Sequence, residues 1–153
     1  MNNHTQFPMN TSLDQIPQGY QVRPATFDDL EPAVALFNIE AKALIGTDMY
    51  DLADVRREWH SPGFNLDTDI RVLIAPDQQL VGYMEVWDTN DPHIQVTIWG
   101  CFHPDHADNW MRHRLVSWAE SRARQAIPKA PPDALVVLQA VTLSENQNTQ
   151  QAW

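Results

Sequence analysis

The stretch Gly100-Cys-Phe-His-Pro-Asp-His-Ala-Asp-Asn-Trp-Met-Arg-His-Arg-Leu115 contains the junction that decides the fold of this chain. Its apolar beginning is typical of a buried strand, its His-Pro-Asp sequence predicts a turn, and its later apolar spacing predicts an amphipathic helix. A strand that leads into a helix N-terminus often holds a phosphate, because free backbone N–H groups and the helix dipole point at one spot. Trp110 and Arg112, however, stand where such a loop usually has glycine.

Composition and charge narrow the class of protein. The 153 residues suffice for one domain with a sizeable core, and 43% of them are hydrophobic. A net charge of −10 argues against nucleic-acid binding, which depends on basic side chains, and it permits a cationic substrate such as an amine. No apolar run is long enough to cross a bilayer, and no secretory signal is recognisable. Together with a single cysteine, Cys101, these features predict a cytoplasmic protein.

The apolar pattern divides the chain into a tail and one domain. Residues 1–18 are polar and aperiodic, which predicts a flexible N-terminal tail, and residues 19–153 form the predicted domain. A short strand that stops at Pro24 precedes a helix that Thr26 or Asp28 caps and that extends through Ile45. A second helix is predicted over residues 52–60.

The second half of the domain contains most of the predicted sheet. Strands over residues 70–75 and 80–87 form a predicted hairpin, a third strand follows, and a helix begins after Asp108. The most apolar segment, residues 134–141, is typical of a central strand covered on both faces. A last helix is expected from Ser144 or Asn146, and its early end at Trp153 predicts a domain that is incomplete at the C-terminus.

This order of elements predicts an α/β (α+β) fold with a mixed, mainly antiparallel sheet that helices flank on both faces and that lacks its last strands. Four motifs in this order resemble the GNAT superfamily, the Gcn5-related N-acetyltransferases. They are Tyr20-Gln-Val-Arg-Pro-Ala-Thr-Phe-Asp-Asp-Leu30, Leu80-Val-Gly-Tyr-Met-Glu85, Phe102-His-Pro-Asp105 and Leu115-Val-Ser-Trp-Ala-Glu120. The chain resembles a C-terminally truncated or degenerate member, because the family's last two strands have no counterpart.

The resemblance implies a site for acetyl-CoA as co-substrate. In the family, backbone groups at the end of the fourth strand contact the pantetheine arm, and the next loop surrounds the pyrophosphate. The positions that match are Cys101, Phe102 and His103 for the arm, and Asn109, Trp110, Met111 and Arg112 for the pyrophosphate. Because Trp110 and Arg112 replace small residues and Asp108 adds a negative charge, weak affinity for acetyl-CoA, or none, is expected.

Acetyl transfer to an amine needs a base, or a chain of water molecules, that accepts the ammonium proton. The resemblance assigns this role to a strand carboxylate, here Glu85, for which a carboxylate that merely faces solvent is the alternative. The tyrosine that often serves as acid has no counterpart, since no tyrosine follows Tyr83. Trp110 either closes the phosphate site or turns outward, and Arg112 either contacts phosphate or lies on a solvated helix face.

No metal site is expected. Cys101, His103, His106 and Asp108 have a spacing that zinc could use, but no second pair of ligands with compact spacing exists in the sequence. Cys101 is interpreted as a small buried residue rather than a nucleophile, because no His and carboxylate arrangement accompanies it.

Three functions remain open at this point. The first is an N-acetyltransferase that acts on a small-molecule or peptide amine, without contact to nucleic acid or membrane. The second is a non-catalytic domain that packs against a complete acetyltransferase domain, either as a homodimer or on a second GNAT domain. The third is a decayed fragment without present activity.

Overall fold

Five strands form a single sheet, and the computed structural model describes residues 15–142 of the chain. The strands are β1 (Gln21–Pro24), β2 (Ile70–Ile74), β3 (Leu80–Trp87), β4 (Gln95–Phe102) and β5 (Val137–Val141). Their spatial order follows the chain, and all neighbours are antiparallel except β4 and β5, which run parallel. The predicted mixed, mainly antiparallel sheet is therefore confirmed.

Helices cover both faces of this sheet, as the sequence predicts. They are α1 (Leu30–Ile45), α2 (Leu52–Trp59), α3 (Leu66–Asp69) and α4 (Asn109–Ala123), with short 3-10 segments at Phe27–Asp29 and Arg124–Lys129. One hydrophobic core, which includes Phe37, Trp59 and Tyr83, lies between the sheet and the α1–α2 layer. A second core, which includes Met111 and Leu115, lies between the sheet and α4. No helix in the described part of the chain combines the length and apolarity needed to cross a membrane.

Local sequence explains where the first helices begin and end. The Asp29 carboxylate accepts hydrogen bonds from the Thr26 N–H at 2.8 Å and from both terminal nitrogens of the Arg23 guanidinium at 2.7 and 2.8 Å, which joins β1 to α1. Helix α1 ends at the predicted residue because Gly46 follows it with φ 81°, a left-handed conformation that glycine adopts without strain. The Asp51 side chain caps α2 by accepting from two backbone N–H groups.

Strand β5 corrects one prediction. The apolar segment 134–141 predicts a central strand, but among the described residues β5 is the outermost strand of the sheet, and it begins only at Val137. Val137, Leu138 and Val141 are 47%, 40% and 43% exposed. Apolar side chains along a strand indicate that other groups cover them. The sequence pattern does not show whether those groups belong to residues 15–142.

Two predicted segments lie largely outside the described residues. Most of the predicted tail, residues 1–14, and the predicted last helix from Ser144 fall there. At the end of the predicted tail, the Tyr20 N–H donates to the Pro17 carbonyl at 3.2 Å, which closes a turn just before β1.

Candidate active site

The candidate active site is centred on Glu85, which lies opposite Trp99 where β3 pairs with β4. The Glu85 carboxylate accepts two hydrogen bonds, from the Tyr83 hydroxyl at 2.6 Å and from the Trp87 indole N–H at 2.8 Å. These side chains share one face of β3 because successive residues of a strand alternate between faces. The strand therefore holds the carboxylate on the side of the sheet that α1 and α2 cover.

Burial raises the pKa of the Glu85 carboxyl to about 7. Loss of solvent is the largest cause, and the hydrogen bonds from Tyr83 and Trp87 oppose it because they stabilise the charged form. The nearby Glu58 carboxylate raises the pKa further. The Glu85 carboxylate is thus partly buried and hydrogen-bonded within the protein, and it does not merely face solvent.

A chain of hydrogen bonds orients Glu85 from behind. The Trp59 indole N–H donates to the Tyr83 hydroxyl oxygen at 3.2 Å, and that hydroxyl donates in turn to Glu85. Tyr83 is fully buried, and burial raises the pKa of its hydroxyl well above 10, so the hydroxyl keeps its proton. These hydrogen bonds therefore position the Glu85 carboxylate and leave its remaining lone pairs able to accept a proton from a ligand.

Glu85 forms part of the wall of a pocket of about 190 Å³ between the sheet and the α1–α2 layer. Three aromatic rings of this wall contact each other, with centroid separations of 4.8, 5.4 and 5.8 Å. The complete lining is Phe37, Tyr50, Val55, Glu58, Glu85 and Trp99. The pocket thus combines an aromatic surface with two carboxylates, and only Glu85 among these residues was assigned a role from the sequence.

The end of β4, where the pantetheine arm is expected, is partly occupied by a side chain of α1. The His103 N–H donates to the Val81 carbonyl on β3 at 2.9 Å, whereas the Phe102 N–H donates to the Glu40 carboxylate, also at 2.9 Å. The Phe102 N–H, which could otherwise donate to an oxygen of a ligand, is therefore already hydrogen-bonded to a carboxylate. Sequence analysis missed Glu40, although its place three residues after Phe37 puts both on neighbouring positions of one helix.

Cys101 has the surroundings of a structural thiol, as predicted. It is 1% exposed, and its Sγ lies 3.8 Å from the Leu36 carbonyl oxygen on α1. Burial raises the pKa of the Cys101 thiol well above its usual value, and the Glu40 carboxylate raises it further. The thiol therefore stays protonated and is a poor nucleophile.

The start of α4 offers fewer free backbone donors than the resemblance implies. The N–H groups of Met111 and Arg112 donate to the Asp108 carbonyl, at 3.1 and 3.4 Å, and the Met111 side chain is fully buried in the core. Within the described contacts, the N–H groups of Asn109 and Trp110 remain available to an anion. Asn109 and Trp110 are therefore the residues of the predicted pyrophosphate set that can still bind through the backbone.

The structure decides between the alternatives for the two bulky residues of this loop. The Trp110 ring packs edge-on against Tyr20, with centroids 5.1 Å apart, so it turns toward the start of β1. The Arg112 guanidinium lies 4.7 Å from the centroid of the Phe102 ring and is partly buried, so it is not on a solvated helix face. Burial lowers the pKa of Arg112, and the neighbouring Glu40 carboxylate opposes this shift.

The His103 and His106 rings meet edge to face with centroids 5.0 Å apart. Across residues 15–142, no group of three His, Cys, Asp or Glu side chains is arranged to hold a metal ion.

Comparison with solved structures places this arrangement in a known fold. The Gcn5-related N-acetyltransferase from Sphaerobacter thermophilus superposes with a TM-score of 0.79 and 20% identity, over 90% of this chain and 42% of that one. The chain has the GNAT fold. It spans less than half the length of the Sphaerobacter protein.

Two further GNAT-fold structures contain relevant ligands. The Salmonella typhimurium protein yncA, solved with acetyl-CoA, matches 88% of this chain with a TM-score of 0.61 and 19% identity, over 76% of its own length. The spermidine N-acetyltransferase from Vibrio cholerae, in complex with CoA and spermine, matches 88% with a TM-score of 0.59 and 13% identity, over 77% of its length. No protein-family model matches the sequence, and a search of curated proteins finds no match.

The GNAT fold brings some of the predicted residues together and separates others. Phe102 and Arg112 meet at the end of β4 beside Glu40, whereas Met111 points into the core. Glu85 lies deeper along the sheet, since its partner Trp99 precedes Phe102 by three residues, or roughly 10 Å of strand. The candidate site therefore has two parts. One is the pocket that contains the Glu85 carboxylate, and the other, at the end of β4, contains backbone N–H groups and the Arg112 guanidinium.

Proposed function

We propose that this protein is an N-acetyltransferase that transfers the acetyl group of acetyl-CoA to an amine, with Glu85 as the proton acceptor. The observation that carries this proposal is the Glu85 carboxyl itself, held in a pocket by two hydrogen bonds with a pKa raised to about 7. A general base works best when its pKa lies near the working pH. The single cysteine fits a reducing compartment such as the cytoplasm.

In this mechanism the chain positions both reactants and moves one proton. Acetyl-CoA supplies a thioester whose carbonyl carbon bonds to the amine nitrogen while the C–S bond breaks. The second proton of the nitrogen passes to the departing sulfur, so coenzyme A leaves as the thiol. Glu85 takes the ammonium proton, which allows the nitrogen lone pair to attack. The available N–H groups of Asn109 and Trp110, together with the Arg112 guanidinium, are suited to hold phosphate oxygens. The Phe102 N–H becomes a further donor when the Glu40 carboxylate moves away.

The test is the release of coenzyme A thiol from acetyl-CoA in the presence of primary amines. We expect amine-dependent release with the wild-type chain and a loss of about 100-fold or more with Glu85→Gln, which keeps the shape but cannot accept the proton. Glu120→Gln is the matched control, because Glu120 is exposed on α4. Thiol release that is equal with and without amine, or equal in the two variants, contradicts the proposal.

Two observations favour a second function, a non-catalytic GNAT-fold domain that binds another acetyltransferase domain or a second copy of itself. The Glu40 carboxylate already holds the Phe102 N–H, and β5 presents exposed apolar residues at the last position of the sheet. Within residues 15–142 no strand pairs with the outer edge of β5, and such an edge is a template for another strand. Under this function, millimolar acetyl-CoA changes neither the heat of titration nor the melting temperature, and sedimentation shows a dimer.

A further inference from the structure

We propose that the pocket beside Glu85 is a binding site for a small, singly charged organic ammonium ion. This inference deepens the proposed function and rests on it for the identity of the reaction, but binding itself can be measured separately. We call the pocket the ammonium cage and define it by Phe37, Tyr50, Trp99, Glu58 and Glu85.

The aromatic part of the cage is preassembled. Phe37 contacts Trp99 and Tyr50 with ring centroids 4.8 and 5.4 Å away, and Tyr50 and Trp99 are 5.8 Å apart. Phe37 is 3% exposed, so the core holds this ring in place. Aromatic faces attract organic cations within about 6 Å of the centroid, and the attraction grows when water is excluded. The rings therefore favour a cation over a neutral ligand of the same shape.

The ionisable side chains that line the cage are carboxylates. Glu58 and Glu85 line it, and no lysine or arginine belongs to its lining within residues 15–142. Arg57, the basic neighbour of Glu58, forms its ion pair with Asp54, so it offsets the charge of Glu58 only in part. Burial raises the pKa of Tyr50 to about 12, so its hydroxyl stays neutral and adds no third negative charge. A single ammonium ion would relieve the unfavourable proximity of the two carboxylates.

The two carboxylates have different positions and therefore different tasks. Glu58 is exposed on α2, so it lies where an incoming cation meets the cage first. Glu85 is partly buried and oriented by Tyr83 and Trp87, so it lies where a bound ammonium would lose its proton. Attraction and proton removal are thus assigned to separate side chains.

The volume of the cage limits the size of the ligand. At about 30 Å³ for each water molecule, 190 Å³ corresponds to roughly six waters. Pockets for drug-sized ligands begin at about 300 Å³. The cage therefore suits a short alkylammonium ion, with its hydrocarbon part against the rings, and it is too small to enclose a long polyamine.

The experiment is a titration of the full chain, without acetyl-CoA, monitored by tryptophan fluorescence because Trp99 lines the cage. The probes are n-butylammonium, tetramethylammonium and the neutral isostere n-butanol. We expect saturable binding of both cations and at least tenfold weaker binding of the alcohol. Binding of n-butanol as tight as that of n-butylammonium overturns the proposal.

Variants at the cage separate its parts. Tyr50→Phe keeps the ring and is expected to bind within about twofold of wild type, whereas Tyr50→Leu removes the ring and is expected to bind about 3- to 30-fold more weakly. Glu58→Gln is expected to weaken binding of both cations, and the exposed Glu120→Gln is the control that leaves it unchanged. Equal affinity of the Phe and Leu variants, with equal melting temperatures, overturns the aromatic contribution.

Failure of this inference is distinguishable from failure of the proposed function. If the cations bind and no acetyl transfer occurs, the proposed cation site is supported and the proposed transferase activity is contradicted. If transfer occurs but neither Tyr50→Leu nor Glu58→Gln changes the KM for n-butylamine, the transferase activity is supported and the cation site is contradicted. Tetramethylammonium has no proton to lose, so it should inhibit transfer competitively against the amine without being acetylated.

Discussion

The two ends of the candidate site differ in how ready they are for ligands. At the α1–α2 side, Glu85 lies in an aromatic pocket with every hydrogen bond it needs for orientation. At the end of β4, the Phe102 N–H is taken by Glu40, and Arg112 lies against the Phe102 ring. Under the proposed function, the amine side is thus preorganised, whereas the side for acetyl-CoA exchanges one internal contact for a ligand.

The largest effect is expected in the pH dependence of transfer. Glu85 accepts a proton only when it is charged, so kcat/KM for a fixed amine should rise about tenfold per pH unit up to about 7 and then lose this slope. In Glu85→Gln the inflection near 7 should be absent and the rate about 10²- to 10⁴-fold lower. The measurement is a series of initial rates at different pH values. An unchanged inflection of kcat/KM near pH 7 in the variant would show that another group is the base.

The same carboxyl should make stability depend on pH. Its pKa is raised from 4.5 to about 7 by burial, so between these values the folded state binds more protons than the unfolded state. The free energy of unfolding should therefore fall as pH rises from 4.5 to 7, by at most about 3 kcal/mol for this group. Urea unfolding at pH 5 and pH 8 should show a smaller difference in Glu85→Gln than in wild type, and an identical difference contradicts the burial of charge at this site.

The cofactor side is tested by releasing the Phe102 N–H. Glu40→Ala removes a carboxylate from the end of β4, and we expect acetyl-CoA to bind about tenfold more tightly, because a hydrogen bond to a charged group is worth about 1.5–3 kcal/mol. Calorimetric titration measures this affinity. Glu31→Ala, an exposed position on the same helix, is the control. Unchanged or weaker binding in Glu40→Ala shows that Glu40 does not compete with the ligand.

The smallest effect is expected at the start of α4. Trp110→Gly removes a Cβ next to an available N–H and should strengthen acetyl-CoA binding a few-fold, while loss of the ring contact with Tyr20 costs about 1 kcal/mol of stability. Tyr20→Leu removes the same contact but keeps Trp110, so it should lower the melting temperature without improving affinity. Equal affinities in the two variants would show that backbone access at this position does not limit binding.

Much of the architecture was predictable from local patterns. Apart from the short helix α3, the order of strands and helices follows from the spacing of apolar residues, as does the α4 helix after Asp108. The end of α1 follows from the glycine at position 46. The edge position of β5 was not predictable, because an apolar strand looks the same whether its cover comes from the described residues or from elsewhere. The apolar pattern of a strand indicates that its side chains become buried, but it does not indicate which part of the protein, or which other protein, covers them.

The site was predictable only in part. Glu85 was identified from its place in a strand motif, but the contact between Glu40 and Phe102 spans 62 positions in sequence. The cage likewise joins Phe37, Tyr50, Glu58 and Trp99, which belong to separate elements. Contacts of this kind depend on how layers pack and leave no local pattern.

By itself, the amino-acid sequence determined which segments become most of the strands and helices and placed a carboxylate in β3, because hydrophobic periodicity and helix capping act over a few residues. Only the tertiary structure decided that this carboxylate is partly buried among aromatic rings, that Trp110 turns toward Tyr20, and that Glu40 reaches the end of β4. The reason is physical: desolvation, ring contacts and long-range hydrogen bonds depend on which surfaces the folded layers bring together.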